Sequence, residues 1–220
     1  MDPASSTIPN ARGGSQERAY RHIKTRILDQ RFSVGCRLRA QDIAQSMSLS
    51  RTPVREALGR LEQEGLVRRD SGWGFVVRGM SLREIVDLFE VREALETRAL
   101  ATAMPNMDPK LLHKLGSLLD TSQAALDAGR PAESLRIARR FHTTIAQASG
   151  NILLMRMLSD LNERIHSVGL SIAERFPERP GAVLKENRSL LAAIERGDSS
   201  GALKRLRLHI HRSRELLLKR

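Results

Sequence analysis

The 220-residue chain is 40% hydrophobic and 28% charged, with aromatics at 3%, a balance that excludes a disordered or fibrous chain and favours helices over sheets. No apolar run approaches the ~20 residues of a membrane span, and the single cysteine, Cys36, cannot form an internal disulfide, which fits a reducing, cytoplasmic setting. The net charge of +12 is unevenly placed: residues 1–80 hold fourteen basic and eight acidic side chains, residues 81–180 thirteen of each, and residues 181–220 ten and four. A basic first third beside a neutral middle points to a nucleic-acid module joined to something else, with a solvated basic surface as the bland alternative.

Residues 1–15 lack the apolar segment of a secretory signal and read as a flexible leader. QERAYRHIKTRILDQ, residues 16–30, places Tyr20, Ile23, Ile27 and Leu28 on one helical face. Gly35 breaks that helix, and AQDIAQSMSLS forms a short second one that buries Ile43, Ala44 and Met47. In the third helix, SRTPVREALGRLEQEGL, Ser50 is the N-cap candidate, Pro53 lies in the first turn and Gly65 is the stop. Val54, Ala57, Leu58 and Leu61 form its buried stripe. LVRRDSGWGFVVRG then carries two β-like runs around Asp70–Gly74, a hairpin signal. Three helices and a hairpin make a winged helix-turn-helix over residues 16–79. From Ser81 on no strand signal appears, and helices at 81–104, 108–128, 131–148, 151–175, 182–196 and 198–218 make residues 80–220 an all-α bundle. The fold class is therefore mainly α.

With Val54 facing inward, Thr52, Arg55, Gly59 and Gln63 point the opposite way, and Ser50 and Arg51 stand at the N-terminal end of the third helix. Free backbone N–H groups and the helix dipole at that end suit phosphate, and arginine suits the guanine edge. In the wing, Gly72 and Gly74 form a tight tip flanked by Arg68, Arg69 and Arg78, suited to phosphate or minor-groove contact.

LSRTPVREALGRLEQEGLV followed by GWGFVV resembles the DNA-binding domain of the GntR family of bacterial transcription regulators. The resemblance implies operator contacts from Ser50, Arg51, Thr52 and Arg55, a wing-tip glycine at Gly72 or Gly74, and a homodimer on a palindromic double-stranded operator. LREIVDLFEVREALETRALA, FH..IAQASGN and ENRSLLAAIERGD continue it into the FCD effector domain of the FadR-like branch. Many such domains hold a divalent metal, zinc or nickel, with one aspartate and three histidines. In this chain those positions read Ala138, His142, Asn187 and His209, so the resemblance implies a metal with at most His142, His209 and Asn187 as ligands, an incomplete site. No cofactor is otherwise expected. His166 is a possible further inward-facing histidine, whereas Arg139 and Arg188 are placed on the solvated side by their spacing.

Arg92 matches an arginine that in the family points toward an effector carboxylate; its alternative is a pair with Glu96 one turn on. The effector pocket expected is thus Arg92, His142, Asn187 and His209, receiving a small organic acid without a strong metal. The chain carries no P-loop, G-x-S-x-G, H-E-x-x-H or G-x-G-x-x-G motif, so no enzyme is expected. The expectation is a dimeric, ligand-responsive repressor. Its rival is a ligand-independent DNA-binding or architectural protein whose helical domain only dimerises.

Overall fold

The computed structural model describes residues 11–71 and 74–219. The chain divides into two compact units between Gly79 and Met80. The first holds α1 (Ala11–Leu28), β1 (Arg37–Leu38), α2 (Ala40–Ser46), α3 (Arg51–Gln63), β2 (Val67–Asp70) and β3 (Gly74–Val77).

In this unit α1 begins at Ala11, five residues before the position expected, so the end of the expected leader is helical. Once the part around buried Ala19 and Tyr20 is docked, each preceding residue adds a backbone hydrogen bond without a new nucleation cost. The wing is a three-stranded antiparallel sheet in the order β1-β3-β2, with Leu38 opposite Phe75 and Arg68 opposite Val76. Two residues are too few to leave a period-2 pattern, so β1 has no signature in the sequence. The core joins Tyr20, Ile23 and Ile27 of α1 to Val54, Ala57, Leu58 and Leu61 of α3 and to Val67 and Val77 of the sheet. After α3, Gly65 adopts φ +73°, and the N–H groups of Gly65 and Leu66 bond back to the carbonyls of Glu62 and Leu61 at 2.9 and 3.0 Å. That is the paired closure a left-handed residue allows at a helix end.

The second unit is helical throughout its described residues: α4 (Leu82–Ala103), a 3-10 turn (Met104–Asn106), α5 (Pro109–Asp127), α6 (Pro131–Ala148), α7 (Ile152–Arg175), α8 (Arg179–Glu195) and α9 (Ser199–Leu218). Short polar residues start these helices. Ser81 and Glu84 form a reciprocal capping box on α4. Asp108, Asn151 and Asp198 accept the N–H groups of Leu111, Leu154 and Gly201. α8 begins at Arg179, three residues earlier than expected, because Pro180 fits a first turn, where its missing N–H leaves no bond unmade. That shift puts Arg179 on a helix facing inward.

Phe89, Leu100, Leu115, Leu119, Phe141, Leu190 and Ile210 are essentially inaccessible and knit α4, α5, α6, α8 and α9 into one core. Removing the ring of Phe141 leaves a void that the surrounding helices fill only in part. Phe141→Ala is therefore expected to cost about 3–5 kcal/mol, read by urea denaturation of the full chain. An unchanged midpoint would remove Phe141 from the centre of the core.

Candidate functional site

Two groups of residues stand out, one in each unit. On α3, Val54, Ala57, Leu58 and Leu61 are buried, while Ser50, Arg51, Thr52 and Arg55 are all exposed. Ser50 takes the N-cap backbone conformation, but its side chain makes no capping hydrogen bond, so the hydroxyl stays available to a ligand. Among the described residues neither Arg51 nor Arg55 has an ion-pair partner. Arg60 and Arg69 differ: Arg60 contacts Glu17 at 3.0 Å and Arg69 contacts Glu62 at 3.0 Å. The N-terminal turn of α3 thus presents cations that no internal acid neutralises.

The far end of the same helix is locked to α1. The Tyr20 hydroxyl donates to Glu64 at 2.7 Å and accepts from Lys24 at 2.8 Å, and Arg60 stacks 3.6 Å over the Tyr20 ring. In the wing, Arg68 is exposed, whereas Arg69 turns away toward Glu62 and Phe75. Gly74 lies at the start of β3 with φ +117°, and a Cβ there would sit 2.9 Å from the Leu38 carbonyl oxygen. Its glycine is required by the close crossing of β1, a demand internal to the fold. Gly72 lies outside the described residues.

The second group surrounds a cavity among α4, α6, α7, α8 and α9 with about 650 Å³ of empty space, open mouth included. Arg92 and Glu96 enter from α4, His142 from α6 and His209 from α9. Arg92 Nε donates to Glu96 Oε1 at 2.7 Å, both side chains being about 6% exposed. The other Glu96 oxygen lies 2.9 Å from His142 Nδ1 without receiving an aligned hydrogen bond. The Arg92 guanidinium uses only Nε in this way; its two terminal nitrogens have no partner among the described residues and are not sealed from the cavity.

The His142 ring stacks on His209, with centroids 5.0 Å apart and planes at 21°. His209 Nδ1 lies 2.7 Å from Glu186 Oε2. Arg179 grips Glu186 through two parallel bonds of 2.9 Å and reaches Ser213 at 2.9 Å. Asn187, fully buried, is not on the cavity wall. It lies behind His142, with Oδ1 3.1 Å from His142 Nε2 and its NH2 unpartnered. A half-turn of the amide exchanges its two ends and lets the NH2 donate to Nε2, which would satisfy that group.

Four expected residues, Arg92, His142, Asn187 and His209, are therefore brought together. Glu96, Glu186 and Arg179 complete the cluster without having been expected there. Glu96 was legible only as a partner for Arg92, Glu186 only as the residue before Asn187, and Arg179 fell in a supposed turn. Arg139, expected in solvent, is half-buried and lines the cavity together with Ala138 and His166. Arg188 is exposed and pairs with Asp120 at 3.1 Å.

The donor set does not fit a divalent metal. Ala138 offers no atom, and Asn187 offers one neutral oxygen already within hydrogen-bond distance of His142. Glu96 and Glu186 are engaged by arginine and by the Nδ1 sides of the imidazoles. Of the histidine nitrogens in the cluster, only His209 Nε2 is left without a partner among the described residues, and a transition metal needs three or four donors converging on one point.

Comparison with known proteins covers both units. Residues 15–77 match the family described as "Bacterial regulatory proteins, gntR family", and residues 87–212 match the FCD domain. The chain is 25% identical over 199 residues to the uncharacterized HTH-type transcriptional regulator YdhC of Bacillus subtilis (strain 168), covering 90% of this chain and 88% of that one. It is 29% identical over 171 residues to the HTH-type transcriptional regulator McbR of Escherichia coli (strain K12), 76% of each chain. The solved structure of E. coli McbR/YncC superposes with a TM-score of 0.75 at 26% identity, covering 90% of this chain and 94% of that one.

The electrostatics of the cavity are set by burial. Burial alone would raise the Glu96 carboxyl; the positive charge of Arg92 and the approach of His142 outweigh it and hold Glu96 well below the usual carboxylate range. Glu186 is likewise lowered, to about 2, where hydrogen bonds from His209 and Arg179 overcome desolvation. His209 is pushed down to about 4, first by burial and then by the charges of His142 and Arg92, with Glu186 opposing. A histidine with a depressed folded pKa binds fewer protons than the unfolded chain between its two pKa values. Its contribution to stability is therefore complete above pH 6.5 and is lost as pH falls toward 4. Glu186 adds a loss of the same sign between pH 4.5 and 2. Thermal melts from pH 7 to 4 are expected to show a loss on the order of 2–3 kcal/mol that His209→Gln largely removes. Equal slopes for the two proteins would contradict this.

Proposed function

Because the chain belongs to the gntR family of bacterial regulatory proteins and carries an FCD domain, we propose that it is a repressor that binds a palindromic operator as a homodimer and is released or retained by a small organic acid. The family regulates transcription through its helix-turn-helix domain and is not enzymatic. In this reading α3 enters the major groove. Arg51 and Arg55 meet base edges and phosphates, Ser50 and Thr52 complete the contact at the helix start, and the wing with Arg68 flanks the groove. A two-fold symmetric protein reads a two-fold symmetric site, which is why the operator is taken to be palindromic.

The observation that carries the effector half is Arg92, a buried guanidinium oriented through Nε by Glu96 while its terminal nitrogens face a cavity without a partner. A carboxylate is the group whose geometry matches that fork. Binding there changes operator affinity only if the two DNA-binding arrangements of the dimer hold the acid with different affinities. One observation favours the ligand-independent rival: the acids Glu96 and Glu186 are already neutralised by Arg92 and Arg179, so the helical unit needs no ligand to balance them.

Arg55→Ala is expected to weaken binding to a DNA fragment from upstream of the protein's own gene by about 1–3 kcal/mol and to relax sequence preference at one position per half-site, measured by fluorescence anisotropy and footprinting. An unchanged footprint would move the reading surface away from α3. Arg92→Lys keeps a countercharge beside Glu96 but removes the two-pronged fork, and should blunt the response of DNA affinity to organic acids while DNA affinity without acid is unchanged. Operator affinity that no acid alters in the unsubstituted protein would favour the rival.

A further inference from the structure

The cavity has a hydrogen-bond polarity that narrows its ligand, and the narrowing rests on the effector reading above. A carboxylate accepts hydrogen bonds and donates none, so Glu186 Oε2, 2.7 Å from His209 Nδ1, requires the proton on Nδ1. The neutral ring then has a bare lone pair at Nε2. His209 lines the cavity and is 5% exposed, and its Nε2 has no partner among the described residues. The terminal nitrogens of Arg92, without a hydrogen-bond partner among the described residues, line the same cavity.

A plain carboxylate satisfies Arg92 and leaves the His209 lone pair facing an apolar carbon or another oxygen. We propose that the cavity takes, without a metal, a small acid that carries a hydroxyl or ammonium group beside its carboxylate. The acid sits on Arg92, and the neighbouring O–H or N–H donates to His209 Nε2. Glu186 and Arg179 act behind the ring as positioning residues: the carboxylate sets the tautomer and the arginine holds the carboxylate. Where the family's metal would accept a ligand's oxygen, this chain offers an oriented lone pair, which selects for a donor.

The test is calorimetry on the full chain in EDTA with three four-carbon acids of equal length: succinate, L-malate and L-aspartate. Malate or aspartate should bind at least about tenfold more tightly than succinate, since a buried acceptor left unpaired is costly. Preference for malate assigns the donor as hydroxyl, and preference for aspartate assigns it as ammonium. His209→Phe keeps a ring of similar shape and removes the acceptor, and should erase that preference, so that malate and aspartate lose their advantage over succinate. Nitrogen NMR of the protein labelled in its histidines supplies a readout independent of any variant. One ring should carry its proton on Nδ1 at neutral pH, and its bare Nε2 should shift on addition of the preferred acid. Equal binding of all three acids overturns the donor requirement and leaves the effector reading standing. Binding that appears only when zinc or nickel replaces EDTA overturns the metal-free site. Binding of none of the three, nor of a wider panel of organic acids, overturns this proposal and the effector reading together.

Discussion

The helical unit is organised around a carboxylate that it cannot leave alone. Glu96 lies at 6% exposure in a bundle whose core is rich in leucine, isoleucine and phenylalanine. An ionised carboxylate in that setting is tolerated only with close countercharge and hydrogen bonds. Arg92, one turn earlier on the same helix, supplies the countercharge at 2.7 Å. The second Glu96 oxygen then faces His142 of α6, whose other nitrogen faces Asn187 of α8 and whose ring stacks on His209 of α9. Each contact accommodates the polar group placed by the one before, and together they tie four helices to one point. The same contacts leave the inner end of the cavity lined by oriented polar atoms rather than hydrocarbon.

The DNA-binding unit uses the same physics at the surface. Its cations fall into two sets. Arg60 and Lys24 surround Tyr20 and Glu64 and fix how α3 packs on α1. Arg51 and Arg55, at the opposite end of α3, have no acid within reach among the described residues. A helix whose C-terminal half is clamped and whose N-terminal turn carries unneutralised charge is suited to present that turn to a polyanion, because contact with phosphate then displaces counterions and breaks no internal pair. Gly74 contributes indirectly: its positive φ lets β3 cross the Leu38 carbonyl closely enough to close the sheet beneath the wing.

Two acids at the inner end of the cavity are balanced by arginines of the chain itself. With alanine at 138 and asparagine at 187, no anionic donor remains for a cation, and the nearby acids are directed at arginines and imidazole Nδ1 atoms. Charge balance resides in two arginine–glutamate pairs, Arg92–Glu96 and Arg179–Glu186, instead of a metal. Such pairs are polarised and directional where a metal is a point charge.

Much of this protein was determined by the sequence acting locally. Ser81, Asp108, Asn151 and Asp198 cap their helices, which begin one residue after the starts expected from the sequence pattern. The stripe of Val54, Ala57, Leu58 and Leu61 has helical period, and it is the buried face of α3. The run SRTPVREAL identified the family because its residues lie along one short helix, so chemistry and spacing are contiguous in the chain. What only the tertiary structure decided is non-local. The two-residue strand β1 exists because β3 offers it a partner, Phe75 for Leu38, far along the chain. Glu186 and Arg179 read as an ordinary polar residue and part of a turn, and they became the support of His209 only when α8 packed against α9. Arg139 read as solvated from its spacing along its own helix, but it lines the cavity that α7 helps to close. Local patterns fix where a helix starts and which face is apolar; which polar groups are buried together depends on packing between segments far apart in sequence, and that is where this cavity gets its chemistry.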